Sequence, residues 1–469
     1  MNTSRRQFIS GAVAAGTAAQ CMSAPVSPGQ GGFVFVEPER SLDVCGEYDL
    51  IVSGGGPAGF AAAVTAARLG RRVMLFEAHG ALGGIWTTGL LSCIIDFGRA
   101  DLSREITKGL DRLGARLPRR PKMLKSNFTY EPEAMKRILE EIAVEAGVRF
   151  RYHSPVVMAY RDESGRMLRT VVTESKSGRQ AWRAKYFIDC TGDGDLAALA
   201  GCGFDEGGIT PSSPAQPASL VAIVMVSDES RIGRFVINEL SGFDADGKPL
   251  SNPKQLLYDE MVAAGIEPSY ARPTLFRISR NLFALMANQE YDVKVSDCEG
   301  ITAATVRARR EIFAIADALR AHNPVRWEGL RVVATAEQLG HRTARRIHGR
   351  YTMTGEDVHE GRRFPDAVAE SSFGIDIHAV TRQENRERPT YSTFAAKPGC
   401  PPSAYQIPLR ACWSRDIDNL YMAGRCISGD FASQASYRVT GPAVQMGEGV
   451  VRAIFGLDPF SGKKKENPA

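Results

Sequence analysis

Three glycines near the start of the chain have the spacing of a turn that holds a diphosphate. Gly54, Gly56 and Gly59 follow an apolar run typical of a buried strand (48–53), and a helix of small residues is predicted from about 60 to 69. In such a turn the first glycine permits the tight bend, the second lets backbone N–H groups approach a diphosphate, and the third lets helix and strand pack closely. The positive end of the helix then faces the anion. The predicted dinucleotide contacts in this turn are Gly54, Gly56, Pro57, Ala58 and Gly59.

An acidic residue closes the second predicted strand (73–77) and completes a βαβ unit. Glu77 stands 18 residues after Gly59, where its carboxylate is placed to accept hydrogen bonds from the ribose hydroxyls of an adenosine. Because the same charge would repel a 2′-phosphate, the pattern favours FAD or NAD over NADP. Ala78 is the next predicted contact.

A second glycine-rich segment, residues 80–89, follows the acidic residue directly. NAD dehydrogenases do not need such a segment, whereas the longer FAD requires backbone along its ribityl and flavin portion. We therefore predict non-covalently bound FAD. The further predicted contacts are Gly83, Gly84, Trp86 and Thr87.

Later segments carry additional motifs. They are IDCTGDGD at 188–195, GHRTARRI at 340–347, GIDIH at 374–378, YQIPLR at 405–410 and NLYMAGRCIS at 419–428. Together with the βαβ unit, these motifs resemble the FAD-dependent oxidoreductase family, over about 48–455. That family has a glutathione-reductase-like FAD domain and includes heterodisulfide-reductase-A-like flavoproteins.

The resemblance implies an α/β fold, with a Rossmann-like FAD-binding domain of the glutathione-reductase type and an inserted α+β substrate domain. It implies further cofactor contacts from two later motifs, namely Thr191, Gly192, Asp193, Gly424 and Arg425. It also implies that the last helix begins near the pyrimidine edge of the flavin, where its positive end would stabilise negative charge. The residues of that helix start are Gly441, Pro442 and Ala443.

Composition shifts divide the chain further. The predicted segments are a twin-arginine-like signal (1–24), a linker (25–46), three parts of the FAD-binding domain (47–96, 166–206 and 401–458), a substrate or cap segment (97–165), a substrate domain (207–400) and a disordered tail (459–469).

Histidines in two of the motifs are the candidates for proton transfer. His378 is the first candidate because an imidazole titrates near neutral pH, and His341 with Arg342 is the second. A structural histidine bonded to a nearby carbonyl is the alternative in both cases. Arg410, Arg425 and Arg438 either hold an anionic substrate or cofactor phosphate, or lie on the surface. Cys93 is either a redox thiol or attachment point, or a buried inert cysteine.

No second G-x-G-x-x-G unit follows for a nicotinamide cofactor. This favours a small organic hydride donor, with electrons leaving to a quinone, a carrier protein or dioxygen. The leading hypothesis is a dehydrogenase or oxidase. A redox-neutral hydratase or isomerase, and a non-catalytic flavin-binding protein, remain alternatives.

The N-terminus predicts export. Ser4, Arg5 and Arg6, then Phe8 and Ile9, resemble a twin-arginine signal, and the short, weakly apolar run that follows contains no acidic residue. The run is too short for a stable membrane span. We expect a periplasmic or extracellular protein that uses the twin-arginine translocation machinery as a partner.

Charge and cysteine spacing exclude two other classes. The formal net charge is +5 over 469 residues, which lacks the dense basic character of a nucleic-acid binder. Arg5, Arg6 and the tail 463–466 account for four of the five charges, leaving the body of the chain at +1. The nine cysteines contain no C-x-x-C pair, so no zinc or iron–sulfur site is predicted.

Overall fold

The computed structural model describes residues 35–118, 127–207, 214–237, 252–387, 390–391 and 404–463. The predicted signal, the first ten residues of the predicted linker and residues 464–469 of the predicted tail lie outside these ranges. Within them, no helix combines the length and apolar character that a bilayer crossing requires.

The strands of the described residues are numbered in chain order. They are β1 (Val44–Ser53), β2 (Val73–Phe76), β3 (Cys93–Ile94), β4 (Arg116–Pro118), β5 (Phe128–Tyr130), β6 (Arg149–Arg151), β7 (Val156–Arg161), β8 (Leu168–Ser175), β9 (Gly178–Asp189), β10 (Phe204–Asp205), β11 (Ala222–Met225), β12 (Thr274–Ser279), β13 (Leu282–Met286), β14 (Arg331–Thr335), β15 (Arg346–Ile347), β16 (Ala367–Ser371), β17 (Ile377–His378), β18 (Thr390–Tyr391), β19 (Tyr405–Pro408) and β20 (Leu420–Met422).

The helices are numbered in the same way. They are α1 (Pro57–Arg68), α2 (Asp101–Arg112), α3 (Pro132–Glu145), α4 (Asp195–Leu199), α5 (Pro253–Ala263), α6 (Cys298–His322), α7 (Gly355–Glu360), α8 (Arg382–Glu387), α9 (Phe431–Tyr437) and α10 (Thr440–Ile454).

A largely parallel sheet forms the centre of the α/β fold. Its order is β6-β2-β1-β9, and β20 pairs in parallel with the C-terminal part of β9. The end of β1, Leu50–Ser53, is fully buried, as expected for a parallel strand covered on both faces. β7 and β8 continue from β9 as an antiparallel meander. The predicted α/β class with a parallel sheet is confirmed.

The register of this sheet aligns the carboxyl ends of its strands. Ser53 of β1 pairs with Phe76 of β2 and with Asp189 of β9, and Asp189 pairs with Met422 of β20. The segments that follow these strands therefore meet at one edge, which is the usual ligand-binding edge of an open parallel sheet.

A second sheet lies in the long insertion before β20. It is antiparallel, in the order β12-β13-β11-β14, and the apolar stripe of α6 packs against it through Ala304, Ala308 and Ile312. Strands and a long helix in this arrangement form the predicted α+β part. The main sheet also takes in β6 and β7 (149–161), residues that the sequence prediction assigned to the cap segment.

Candidate active site

The glycine turn joins β1 to α1 as the sequence predicts. Gly54 has a φ of +94°, a conformation that glycine adopts without strain. A Cβ on Gly59 would lie 1.8 Å from the carbonyl oxygen of Gly54, so Gly59 permits close packing of helix against strand. A Cβ on Gly56 would meet nothing within 4 Å, and Gly56 is the residue that precedes α1. Gly56 therefore leaves open space in front of the positive end of a helix.

Glu77 is held rigidly at the end of β2. The side chain is buried, its Oε2 accepts a hydrogen bond from the backbone N–H of Gly55 at 2.6 Å, and its Oε1 accepts one from the N–H of His79 at 2.8 Å. A carboxylate offers about four acceptor positions. Two of them remain for a ligand beside the turn.

The loop after β9 is braced by a buried carboxyl and by an arginine from β20's end. Asp189 accepts hydrogen bonds from Thr191, and burial raises the pKa of Asp189 to about 6. Arg425 donates from Nη2 to Asp193 Oδ1 at 2.6 Å and from Nε to the carbonyl of Gly192 at 3.0 Å. These contacts join two of the predicted cofactor motifs.

Helix α10 begins at the same edge of the sheet. Small residues let it approach closely: a Cβ on Gly441 would lie 2.1 Å from the carbonyl oxygen of Asp96, and one on Gly447 would lie 2.2 Å from that of Ala58. Further along α10, Glu448 is buried and accepts hydrogen bonds from the first N–H groups of α2, at Asp101 and Leu102. The helix is therefore fixed at several points along its length.

These segments enclose a cleft of about 240 Å³, which we call the main cleft. The predicted cofactor residues that line it are Gly54, Gly56, Pro57, Ala58, Glu77, Ala78, Gly84, Thr191, Gly192, Asp193, Gly424, Arg425 and Ala443. The predicted contacts that do not line it are Gly59, Gly83, Trp86, Thr87, Gly441 and Pro442.

The second group has structural positions. Trp86 is fully buried and its ring packs edge-on against Phe97, with 5.9 Å between ring centroids. The Thr87 hydroxyl donates to the carbonyl of Leu82 at 2.7 Å, and Gly83 supplies a φ of +104° before a short 3₁₀ turn. Pro442 occupies the first turn of α10, where the absence of an N–H has no cost.

A second cavity, of about 200 Å³, lies beside the main cleft, and we call it the side chamber. The two cavities share a set of lining residues, namely Ile85, Gly340, His341, Arg425, Arg438 and Thr440. The side chamber is also lined by His378, Arg342, Asp376 and Cys93. All three predicted catalytic residues therefore lie on its wall. Arg410 instead pairs with Asp366 and lines neither cavity.

His378 is held by partners on both ring nitrogens. Its Nδ1 lies 3.2 Å from the amide nitrogen of Gln289, which can only donate, and its Nε2 lies 3.3 Å from Asp376 Oδ2. The ring is therefore neutral, with its proton on Nε2. Burial and the positive charge of Arg342 lower the pKa of His378 to about 3. The expectation that His378 titrates near neutral pH does not hold in this environment.

The carboxylate of Asp376 is the acidic group beside that ring. Burial raises the pKa of Asp376, but the hydrogen bond with His378 and the charges of Arg438 and Arg342 outweigh burial, so the pKa lies below its usual range. Arg438 also donates to the backbone carbonyl of Asp376 at 3.0 Å, and burial lowers the pKa of Arg438 to about 10. Asp376 and Arg438 form an ion pair on the chamber wall.

His341 differs from His378 because it lies where the main cleft meets the side chamber. Among the described residues, none makes a hydrogen bond with its imidazole. Burial lowers the pKa of His341, which favours the neutral ring at neutral pH. A neutral, unpartnered imidazole can accept a proton.

Several lining residues were not predicted as site residues. Asp376 stands in the same motif as His378, and its carboxylate two residues before the histidine was an available signal. Ser219, which lines the chamber, and Gln289, which contacts His378 behind it, come from parts of the insertion outside the named motifs. Only the folded arrangement brings them to the chamber.

This site and this sheet define a nucleotide-binding α/β enzyme with a second cavity beside the nucleotide cleft. Residues 49–454 match the model of the FAD dependent oxidoreductase family, and the chain belongs to that family.

More distant likenesses cover parts of other proteins. A dihydrolipoyl dehydrogenase of Trypanosoma brucei brucei is 47% identical over 45 residues, which are 10% of this chain and 9% of that protein. A geranylgeranyl bacteriochlorophyll reductase-like structure from Thermoplasma acidophilum is 12% identical over 88% of this chain and 80% of that chain, with a TM-score of 0.45. The OxyS anhydrotetracycline hydroxylase of Streptomyces rimosus is 12% identical over 88% of this chain and 64% of that chain, with a TM-score of 0.43. The chain thus spans under a tenth of the curated relative that it matches.

The main cleft fits FAD on structural grounds. Its entrance turn has open space at Gly56, where a Cβ would stand in the path of a diphosphate. Two helix starts, those of α1 and α10, contribute lining residues, and each carries a partial positive charge. The residues that would hold the adenosine, the diphosphate and the flavin are Glu77, the turn 54–58, and Arg425 with Thr440.

Proposed function

We propose that this protein is an exported FAD-dependent dehydrogenase or oxidase of the glutathione-reductase-like class, related to heterodisulfide-reductase-A-like flavoproteins. It removes a hydride from a small organic substrate and passes the electrons to a quinone, a carrier protein or dioxygen. When bound, FAD supplies a two-electron acceptor at its N5 atom. One observation carries the proposal: a chamber of substrate size joins the main cleft through His341, Arg438 and Thr440.

His341 accepts the proton that accompanies hydride removal. A substrate CH–OH or CH–NH group loses one hydrogen as a hydride and one as a proton, so two electrons leave with the hydride. The imidazole of His341 is neutral, unpartnered and at the junction where both cavities meet. These three properties favour it over His378, whose ring nitrogens already have partners.

Two other groups orient the reaction. The N-terminal end of α10 at Thr440 would stabilise negative charge on a bound flavin. His378 holds the carboxylate of Asp376, and Asp376 in turn holds Arg438. Through this chain of contacts His378 acts as a positioning residue.

The redox proposal is tested by anaerobic reduction of the flavin. We expect a donor to bleach the visible spectrum of the purified holoprotein and an acceptor to restore it. His341→Asn should slow bleaching by about 100-fold or more without loss of bound FAD, since general-base catalysis contributes at least that factor. The matched control is His322→Asn, at the exposed end of α6.

Three outcomes would contradict the proposal. Turnover of a substrate without consumption of an acceptor would indicate a redox-neutral enzyme. A flavin that no donor reduces would indicate a non-catalytic flavoprotein. Equal bleaching rates in His341→Asn and the parent protein would remove His341 from the mechanism.

The export proposal rests on the arginine pair Arg5 and Arg6 and is tested separately. We expect Arg5→Lys with Arg6→Lys to retain the holoprotein in the cytoplasm of a bacterial host that has the twin-arginine machinery. The control carries the same two changes at Arg71 and Arg72, an arginine pair just before β2. Equal periplasmic amounts of both variants would refute the proposal.

A further inference from the structure

The side chamber contains a buried arginine, Arg342, that forms no salt bridge with any of the described residues. Arg342 is buried, and its Nη1 donates to the carbonyl of Pro217 at 2.6 Å and to the hydroxyl of Ser219 at 2.9 Å. Its Nη2 reaches only the sulfur of Met286, at 3.9 Å. Among the described residues, no carboxylate lies within ion-pair distance of this guanidinium. A buried charge in that condition is unstable unless something pairs with it.

The other arginines of the chamber are already neutralised. Arg425 pairs with Asp193, and Arg438 pairs with Asp376. Asp376 also acts electrostatically on Arg342, but its one negative charge is shared with Arg438, so the described wall keeps a net charge of +1. The two bonds to oxygen acceptors hold Nη1, and Nη2 has only the weak sulfur contact, so Nη2 can donate to a ligand. Arg342 lines the chamber but not the main cleft.

Apart from the polar lining residues already described, the chamber is mostly apolar. Its lining side chains include Leu91, Ile95, Val221, Phe276, Phe373 and Val439. These residues offer no hydrogen-bonding side chains, so they favour an apolar ligand body. One positive charge set in an apolar wall is complementary to a molecule with one negative group on a hydrocarbon frame.

We propose that the substrate is a monocarboxylate with an apolar body, and that Arg342 binds its carboxylate in the side chamber. This rests on the proposed function, since it names the substrate class of the same chamber. Arg342 offers a planar guanidinium with geometry matched to a carboxylate. Its contacts with Pro217 and Ser219 hold that group in place before the ligand arrives.

The experiment is a binding measurement that requires no turnover. Phenylacetate and its neutral isostere phenylacetamide are titrated into the FAD-loaded protein by calorimetry, with perturbation of the flavin spectrum as a second readout. We expect phenylacetate to bind at least about 10-fold more tightly than phenylacetamide, because a charge-assisted pair outweighs a neutral hydrogen bond. Arg342→Gln should remove this preference, and Arg342→Lys should restore part of it.

Thermal unfolding of the variants separates a loss of ligand binding from a loss of folding. Without ligand, Arg342→Gln should be at least as resistant to thermal unfolding as the parent protein, because it removes an unpaired buried charge. Phenylacetate should raise the melting temperature of the parent protein but not of Arg342→Gln. The control is Arg410→Gln, which removes an arginine outside both cavities and should keep the preference for phenylacetate.

The proposal is overturned if the parent protein binds neither probe at millimolar concentration or binds both equally. It is also overturned if Arg342→Gln keeps the parent protein's preference for phenylacetate. These outcomes are separate from failure of the proposed function. If the FAD-loaded protein bound phenylacetate but no donor reduced its flavin, the carboxylate site would stand and the oxidoreductase reaction would be refuted. If an uncharged donor reduced the flavin but phenylacetate did not bind, the oxidoreductase reaction would stand and the carboxylate site would be refuted.

Discussion

Two glycines of the motif that joins β1 to α1 should respond differently to the same substitution. Gly56 and Gly59 belong to one motif, but an added Cβ would enter open space at Gly56 and would lie 1.8 Å from a backbone oxygen at Gly59. Gly56 also has a φ of −65°, which alanine adopts readily. Gly56→Ala therefore tests the cradle for the diphosphate, and Gly59→Ala tests the packing of helix on strand.

The expected magnitudes follow from these distances. In the apoprotein, Gly56→Ala should change the free energy of unfolding by less than about 1 kcal/mol, because alanine restricts the unfolded chain but is a poorer N-cap for α1 than glycine. In the holoprotein it should weaken FAD binding by about 10- to 100-fold, the equivalent of one lost charge-assisted hydrogen bond to the diphosphate. Gly59→Ala should destabilise even the apoprotein, by about 3 kcal/mol, because the backbone must move to relieve the overlap.

The assay combines urea unfolding of both apoproteins with FAD titrations followed by flavin fluorescence. The two variants are each other's control, since both add one methyl group to the same turn. If Gly56→Ala bound FAD as tightly as the parent protein, the turn would not approach the diphosphate and the assignment of the main cleft would be wrong. Equal loss of apoprotein stability in both variants would refute the distinction between cradle and packing.

Three further predictions concern single side chains. Glu77→Gln should weaken FAD binding by about 10-fold and leave FMN binding unchanged, because FMN lacks the adenosine whose ribose Glu77 would hold. Fluorescence titration with both flavins measures the two affinities. Equal effects on FAD and FMN would exclude the ribose contact. The pKa of His378 is about 3 in the folded protein and about 6.5 in the unfolded chain, so the unfolded state binds the proton first. As the pH decreases from about 6.5, the free energy of unfolding should therefore decrease, by up to about 1.4 kcal/mol per pH unit. Urea unfolding at several pH values should show a smaller decrease in His378→Asn and an unchanged decrease in His322→Asn. Glu448→Ala should lower the free energy of unfolding by about 2 kcal/mol, because it removes the carboxylate that caps α2. The control Glu145→Ala, at an exposed position, should lower it little. Similar losses in the two variants, measured by urea unfolding, would show that the cap is dispensable.

Much of the fold was readable from local sequence signals. The apolar runs, the glycine turn and the small-residue helix of the βαβ unit are all contained in about 30 residues, and the structure has β1, α1 and β2 there. The last helix was predicted from 441 and begins at Thr440. Such elements are predictable because their hydrophobic period and their turn residues are local properties.

The electrostatic state of the site was not readable in this way. His378 is neutral because Gln289, Asp376 and Arg342 surround it, and two of these three come from distant segments. Trp86 was predicted to contact the cofactor because it follows a glycine-rich run, but its ring is packed in the core against Phe97. Side-chain direction and pKa depend on tertiary neighbours, which a motif does not contain.

The position of the main cleft's walls in the sequence also determines when the cleft can close during synthesis of the chain. One wall comes from residues 53–58 and another from 423–443, so the two are made at opposite ends of synthesis. A ribosome-bound chain that has not yet released α10 has no closed cleft, and contacts of such long sequence separation form late in folding. A closed site for FAD therefore requires that synthesis and folding have proceeded at least to residue 443.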